Sequence, residues 1–392
     1  MSRSSCGTVA PEPPGRLSFF AATLPGLGPL LRDEAAAHPG LDPDDETGFD
    51  GRADTVFFRV RRGARFRLDD LRLAEDVFAE IGATRRGPPA RVAAWLLTPA
   101  GLERALSARV SYVGHLGPSM TFRVITRVLD ESQFKRTELR GAVERVVGAA
   151  RPRWRIADPA ELEVWVVEHR RARFVSGLRL SGKRLRQHGE GRATERHGAL
   201  RPVVAAAMVR LAGAGRGHVA DAGPEPAAQT GPRRLLDPYC GSGTIVSEAM
   251  AAGWEAQGSD VDTEAVRAAR ANVAGADIQR ADALHLRHPD GAFDAVVTNV
   301  PFGRQFDTGA DRVAGSSARR SPAGGLRSAL REAARVTRPG GRVIVLVPPP
   351  VPEHIADLTL AGSYPIRLLG VPARIWAFDR DQQVATGGGA AG

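Results

Sequence analysis

From Arg234 onward the apolar positions fall into short runs separated by segments with a 3.6-residue period. The runs predict strands at 234–236, 255–259, 292–298 and 342–347, and the periodic segments predict helices at 244–252, 263–273 and 326–336. Strand, loop and helix in regular alternation make a mostly parallel sheet with helices on both faces, a Rossmann-like α/β domain. Such sheets hold ligands beyond the carboxyl ends of their strands, so the loops that follow the strands come first in the search for chemistry.

The amino-terminal half has a different rhythm. A short strand from Leu17, a Pro-Gly turn and a helix with Leu27, Leu30 and Leu31 on its apolar face are followed by a strand at 55–60. The segment LDDLRLAEDVFAEIGA has helical spacing at Leu71, Ala74, Val77 and Phe78. Strands at 121–128, 162–167 and 173–178 and a helix at 135–149 complete a mixed α/β region. An apolar helix at 197–211, opened by Arg201 and Pro202, leads into AGAGRGHVADAGPEPAAQTGPRR, which is poor in bulky apolar residues and reads as a flexible connection. Residues 1–16 and 382–392 are small, Pro- or Gly-rich and without period, and disorder is expected in both.

Composition adjusts this picture in three places. At 392 residues with 43% apolar content the chain can bury more than one core, and the boundary falls between an amino-terminal region, 17–185, and the α/β domain, 186–381. No apolar run approaches the roughly 20 residues of a membrane span and the first residues lack a signal peptide's apolar centre, so a cytoplasmic protein without a membrane partner is expected. Cys6, in the tail expected to be disordered, and Cys240 are the only two cysteines, too few for a disulfide framework or zinc site, and His169, His188 and His197 have no ligand spacing, so no metal is expected. The net charge of +10 points modestly to a nucleic acid partner. Lys135 and Lys183 are the only lysines, and so much arginine also fits a GC-rich coding sequence. A monomer is expected.

The loop RLLDPYCGSGTIVSEAM sets an acid, Asp237, at a strand end before two glycines and a helix. Gly241 and Gly243 permit a tight turn and close backbone approach, and the helix start presents free N–H groups. A dinucleotide loop would carry a third glycine where Val246 stands, and no acid ahead of a pyrophosphate. An acid there suits an ammonium, which S-adenosylmethionine offers. Asp260, at the end of the next strand, can accept from ribose hydroxyls. Asp282, after the following short strand, can accept from the adenine amino group. Each acid alone is more often a helix cap or a solvated turn, but three in this order, each at a strand end, make a site. Asp262 fits the helix cap, with Glu264 and Arg267 toward solvent.

The loop FDAVVTNVPFG ends a buried strand with Asn299, Val300, Pro301 and Phe302. An exocyclic amine is a poor nucleophile because its lone pair is delocalised into the ring. The Asn299 amide oxygen and the Val300 carbonyl can each accept one N–H and turn that lone pair out of the ring plane, while Phe302 stacks on the base for about 1–3 kcal/mol. Orientation and hydrogen bonding would then carry the rate without a strong base.

These motifs resemble the amino-methyltransferases with an (N/D/S)-P-P-(Y/F) motif, and DPYCGSGTI with TNVPFG is most similar to the THUMP-domain RNA guanine-N2-methyltransferases. LRLAEDVF, TFRVITRVLDESQFKRTELRGAVERVV, LEVWVVEHRRARFVSGLRLS and HGALRPVVAAAMVRLA look like that family's THUMP domain, strand exit and first catalytic helix, so the resemblance covers most of the chain. It implies a ferredoxin-like domain plus THUMP at 17–185 that grips the tRNA acceptor end, and a class I methyltransferase domain at 186–381 that makes N2-methylguanosine. On the matching motifs, Asp237, Tyr239, Gly241, Gly243, Thr244, Asp260, Asp282 and Asn299 would hold S-adenosylmethionine, and Asn299, Val300, Pro301 and Phe302 the guanine. Val300 departs from the motif's first proline, but that position supplies a backbone carbonyl, which valine keeps.

Other readings stay open. The same loop would serve an amine in ribosomal RNA, adenine in DNA or a protein glutamine, and a non-enzymatic RNA-binding protein with a decayed catalytic domain is opposed by the intact acids and Asn299. Arg140, Arg145, Arg151, Arg153 and Arg155 around Trp154 suit a single-stranded RNA end, or equally a solvated helix face with Trp154 in the core. Arg304, Arg312, Arg319 and Arg320 lie in a loop, 304–325, that would clamp phosphates or be disordered without substrate.

Overall fold

The computed structural model describes residues 18–48, 52–131, 134–196, 198–214, 232–301, 322–351, 355, 357–368 and 370–382. Most of the two tails, the connection at 215–231, Phe302 and the arginines at 304, 312, 319 and 320 lie outside the described residues.

Strands β1 (Ser18–Thr23), β2 (Leu41–Thr47), β3 (Asp54–Val60), β4 (Asp76–Arg85), β5 (Thr121–Arg127), β6 (Arg155–Ile156), β7 (Leu162–Arg170) and β8 (Arg173–Arg179) form one mixed sheet in the order β2-β3-β1-β4-β8-β7-β5-β6. Helices α1 (Gly28–Ala37), α2 (Pro89–Leu96), α3 (Pro99–Val113) and α4 (Arg136–Ala150) pack their apolar stripes on one face, where Phe19, Val77, Val124, Val164 and Phe174 join Leu30, Leu96, Leu102 and Val143 in one core. The alternate positions Phe20, Phe78, Trp165 and Val175 form a separate small cluster on the other face, and no helix residue belongs to it. Half-buried Trp154 packs against the main core beside Phe122, with the Arg151 guanidinium 5.6 Å from its ring centre.

One expected helix is a strand. Leu68–Asp70 is a single 3-10 turn, and Val77 and Phe78 belong to β4. β4 lies between β1 and β8 inside the sheet, and its apolar Val77, Phe78 and Ala79 are consecutive, a run too short to show a period of its own. Leu71 and Ala74 are buried as expected, from a turn rather than a helix. β2, α2 and α3 are additions to the expected elements.

After α5 (Lys183–Gln187) and α6 (Pro202–Gly213), a second sheet is built from β9 (Arg234–Asp237), β10 (Glu255–Asp260), β11 (Asp277–Arg280), β12 (Phe293–Asn299), β13 (Thr337–Val347), β14 (Leu358–Leu368) and β15 (Val371–Arg380), in the order β11-β10-β9-β12-β13-β15-β14. The first five strands are parallel, β15 runs antiparallel to β13, and β14 pairs antiparallel with β15 at the edge. Helices α7 (Thr244–Ala251) and α8 (Thr263–Asn272) join α6 on one face, while α9 (Pro322–Val336) covers the other through Leu330, Ala333 and Ala334. Helices thus flank both faces of a largely parallel sheet, and the strand order reverses between β9 and β12, which is where such folds place a ligand. The core under α6 is continuous with that of the first sheet. No helix among the described residues is long and apolar enough to cross a membrane.

Candidate active site at the sheet's reversal point

β9 ends on Asp237, whose side chain is fully buried. Its Oδ1 accepts from Thr298 Oγ1 at 2.8 Å and from the Tyr239 backbone N–H at 3.2 Å. Burial, with the neighbouring Asp260 carboxylate adding to it, pushes the Asp237 carboxyl up to about 7. A buried acid this reluctant to ionise gains most when a cation is brought beside it.

The backbone then makes a tight bend. The Gly243 N–H donates to the Cys240 carbonyl at 2.7 Å, and Gly241 and Gly243 have φ of +51° and +84°. The two glycines serve different ends. A Cβ on Gly243 would sit 2.8 Å from Val273 Cγ2, so this glycine lets α8 pack against the turn. A Cβ on Gly241 would meet nothing within 4 Å, which leaves its backbone open to a ligand. Cys240 is buried beneath the turn, where burial and the two acids push its thiol up and leave it unreactive.

Asp260 closes the turn from β10. Its Oδ2 accepts from the Gly241 N–H and its Oδ1 from the Asp262 N–H, both at 3.0 Å. Each oxygen keeps acceptor capacity toward the open side. Burial, with the Asp282 and Asp260 carboxylates adding to it, pushes the Tyr239 hydroxyl up to about 12. Asp282 is exposed after β11, with Oδ1 accepting from the Leu284 N–H at 2.9 Å. Asp262 is the helix cap expected, accepting from the Glu264 N–H, and Glu264 pairs with Arg267 at 2.6 Å in solvent.

Asn299 closes β12, half-buried, with Thr298 fully buried beside it. Val300 is buried in the α9-side core, and Pro301 is exposed. Three side chains that sequence reasoning passed over brace the site. Thr298 ties the acceptor strand to the cofactor acid. Arg192 Nη2 donates to Thr244 Oγ1 at 2.9 Å. Asn272 Nδ2 donates to the Ser242 carbonyl at 3.0 Å. Thr298 had a readable signal in its place next to Asn299; Arg192 and Asn272 had none, because tertiary folding alone brings them to the turn.

Residues 190–349 match the family described as UPF0020, RMKL-like, methyltransferase domain. The chain is 32% identical over 120 residues to a tRNA (guanine(10)-N2)-dimethyltransferase of Methanothermobacter thermautotrophicus, covering 29% of this chain and 31% of that protein. It is 36% identical over 133 residues to a demethylmenaquinone methyltransferase of Thermus thermophilus, covering 32% of this chain and 52% of the relative. The chain thus spans between about a third and a half of the length of these relatives. The crystal structure of TrmN from Thermus thermophilus superposes with a TM-score of 0.63 at 23% identity over 93% of this chain and 99% of that one, so the fold is shared through both sheets. The resemblance to the guanine-N2 tRNA methyltransferases read from the sequence holds alongside the methyltransferase domain itself.

Proposed function

We propose that this chain is an S-adenosylmethionine-dependent RNA methyltransferase that methylates the exocyclic N2 of a guanine, with tRNA as the substrate. The single observation that carries the proposal is the bond between Thr298 and Asp237, which joins the acceptor strand end to the buried cofactor acid at the sheet's reversal point. S-adenosylmethionine would supply an electrophilic methyl group and a positive charge. Asp237, raised to about 7, meets the cation; the open side of Gly241 admits the cofactor's body; Asp260 takes the ribose hydroxyls; and Asp282 with Tyr239 borders the adenine. Asn299 and the Val300 carbonyl accept the two N–H groups of the guanine amine, and Phe302 stacks on the base. A base inside a paired stem has to be extruded to reach Asn299, which assigns a gripping role to the amino-terminal region 17–185, with a ferredoxin-like part and a THUMP part, and catalysis to 186–381. A cytoplasmic monomer fits this work.

Isothermal titration with S-adenosylmethionine tests the cofactor assignment: binding by the wild type is expected, with at least tenfold loss in Asp237→Ala and Asp260→Ala. Undiminished binding by both variants would sink it. Asn299→Ala should abolish methyl transfer to RNA while leaving cofactor binding nearly intact, and mass spectrometry of nucleosides from the tRNA of a deletion strain should show one N2-methylguanosine missing. A change confined to quinones would favour the chemistry of the second relative instead.

A further inference from the structure

The two strands that flank the reversal point part at their ends. β12 pairs with β9 at Ala295↔Leu235 and Val296↔Leu236, while on its other side it stays paired with β13 as far as Asn299↔Leu346. Thr298 and Asn299 therefore run past the ladder to β9, along the opening where folds of this kind admit a ligand. A side-chain bond spans that opening. Thr298 Oγ1 donates to Asp237 Oδ1 at 2.8 Å, and both side chains are buried.

The arrangement around the acid gives this bond a consequence. The Thr298 hydroxyl and the Tyr239 backbone N–H both donate to Oδ1, which leaves Oδ2 for the ammonium of the cofactor. Both donors favour the charged carboxyl against the burial that opposes it, Thr298 the more strongly of the two. A cation at Oδ2 completes the ionisation. A hydroxyl that donates to a full carboxylate then makes a shorter and stronger bond than one that donates to a neutral acid. That strengthening falls on the residue next to Asn299, and Val300 on the far side of Asn299 is anchored in the α9-side core. The strand end that presents the acceptor groups is thus held at two points, one fixed by packing and one set by the charge on Asp237.

We propose that Thr298 is a positioning residue through which cofactor and RNA assist each other's binding: its bond to Asp237 tightens when S-adenosylmethionine arrives, and fixes Asn299 and the Val300 carbonyl for the guanine amine. The inference rests on the guanine-N2 reading above and adds to it a coupling between the two sites. Such a coupling is reciprocal, so the factor by which the cofactor raises the affinity for RNA is the factor by which RNA raises the affinity for the cofactor.

The test uses the full chain with Thr298→Val, which exchanges the hydroxyl for a methyl group of similar shape, and Thr298→Ser, which keeps it. Titration calorimetry with S-adenosylmethionine between pH 6 and pH 9 reads the bond to the acid. Without the hydroxyl the acid ionises at higher pH, so Thr298→Val should bind about tenfold more weakly than wild type at pH 6 and equally at pH 9. Filter binding of tRNA with and without saturating S-adenosylhomocysteine, which keeps the ammonium and has no methyl to transfer, reads the coupling. S-adenosylhomocysteine should tighten wild-type tRNA binding at least about fivefold, an effect that falls below about twofold in Thr298→Val and returns in Thr298→Ser. A loss of S-adenosylmethionine affinity in Thr298→Val that is the same at every pH would overturn the proposal, because a purely structural role predicts it. Equal tightening in wild type and Thr298→Val would overturn it too, and so would a wild type that binds both ligands without any tightening, which requires no variant to fold. A wild type that binds S-adenosylmethionine but no RNA would bring down the RNA reading and this inference with it, whereas the preceding outcomes bring down the inference alone.

Discussion

Asp237 is the residue at which stability and ligand binding pull apart. Its carboxyl ionises with an ordinary value of 3.8 when unfolded and about 7 when folded. The native state therefore binds more protons than the unfolded one between these values, so stability falls as pH rises from about 4 to about 7 and is level above. Asp237→Asn removes the dependence. Its melting temperature relative to wild type should rise by at least about 3 °C between pH 4 and pH 8, while its S-adenosylmethionine affinity drops tenfold or more; a difference constant with pH would contradict the buried-acid account. In the wild type, affinity for the cofactor should weaken about tenfold per unit below pH 7, as the carboxylate is lost. The paired glycines give a second contrast. Gly243→Ala combines positive φ with a Cβ 2.8 Å from Val273 and should destabilise by about 2–4 kcal/mol, measured by urea unfolding. Gly241→Ala meets no atom, and only its φ should count, at about 1–2 kcal/mol. Both glycines were legible in the sequence as turn residues, yet their separate roles were not, because Val273 comes to Gly243 only when α8 docks.

At the scale of elements, α7 matters beyond starting at the cofactor turn. Its Glu248 is buried and accepts from Arg72 of the amino-terminal region at 2.7 and 3.0 Å and lies 2.8 Å from His188 Nδ1. One carboxylate thus ties the cofactor helix to the first sheet's connecting segment and to the linker after β8. Glu248→Ala strands both partners and should cost about 3 kcal/mol in urea unfolding, whereas Arg72→Ala, removing a one-third exposed partner, should cost less than half of that. Equal losses would mean that the cluster does not act through the buried carboxylate. None of this junction was visible in the chain, since Arg72 and Glu248 lie 176 positions apart. The parallel strands were visible, because a buried strand between a glycine turn and a periodic helix has few other readings. β4 was misread and β14 went unseen for related reasons: in the first Val77, Phe78 and Ala79 are consecutive, and the second is broken by Gly362 and Pro365, so neither displays a clean two-residue alternation.

For the molecule as a whole, the charge of +10 and the shared fold across both sheets make a prediction about how RNA is held. If the amino-terminal region grips a tRNA stem through phosphates, binding has to displace condensed counterions, and the slope of log K against log salt counts them. About five contacts on a duplex give a slope near −4.5, so affinity for tRNA should fall about five hundredfold between 50 and 200 mM salt in filter binding. Cofactor affinity should hardly move over that range, because Asp237 is buried and screening acts weakly there. A flat response for tRNA would say that the excess arginine has another cause, such as base composition of the coding sequence, and that recognition rests on base contacts at the catalytic loop alone. A steep response for tRNA, with a cofactor affinity that ignores salt, would separate the two halves of the chain by the physics of what each one holds.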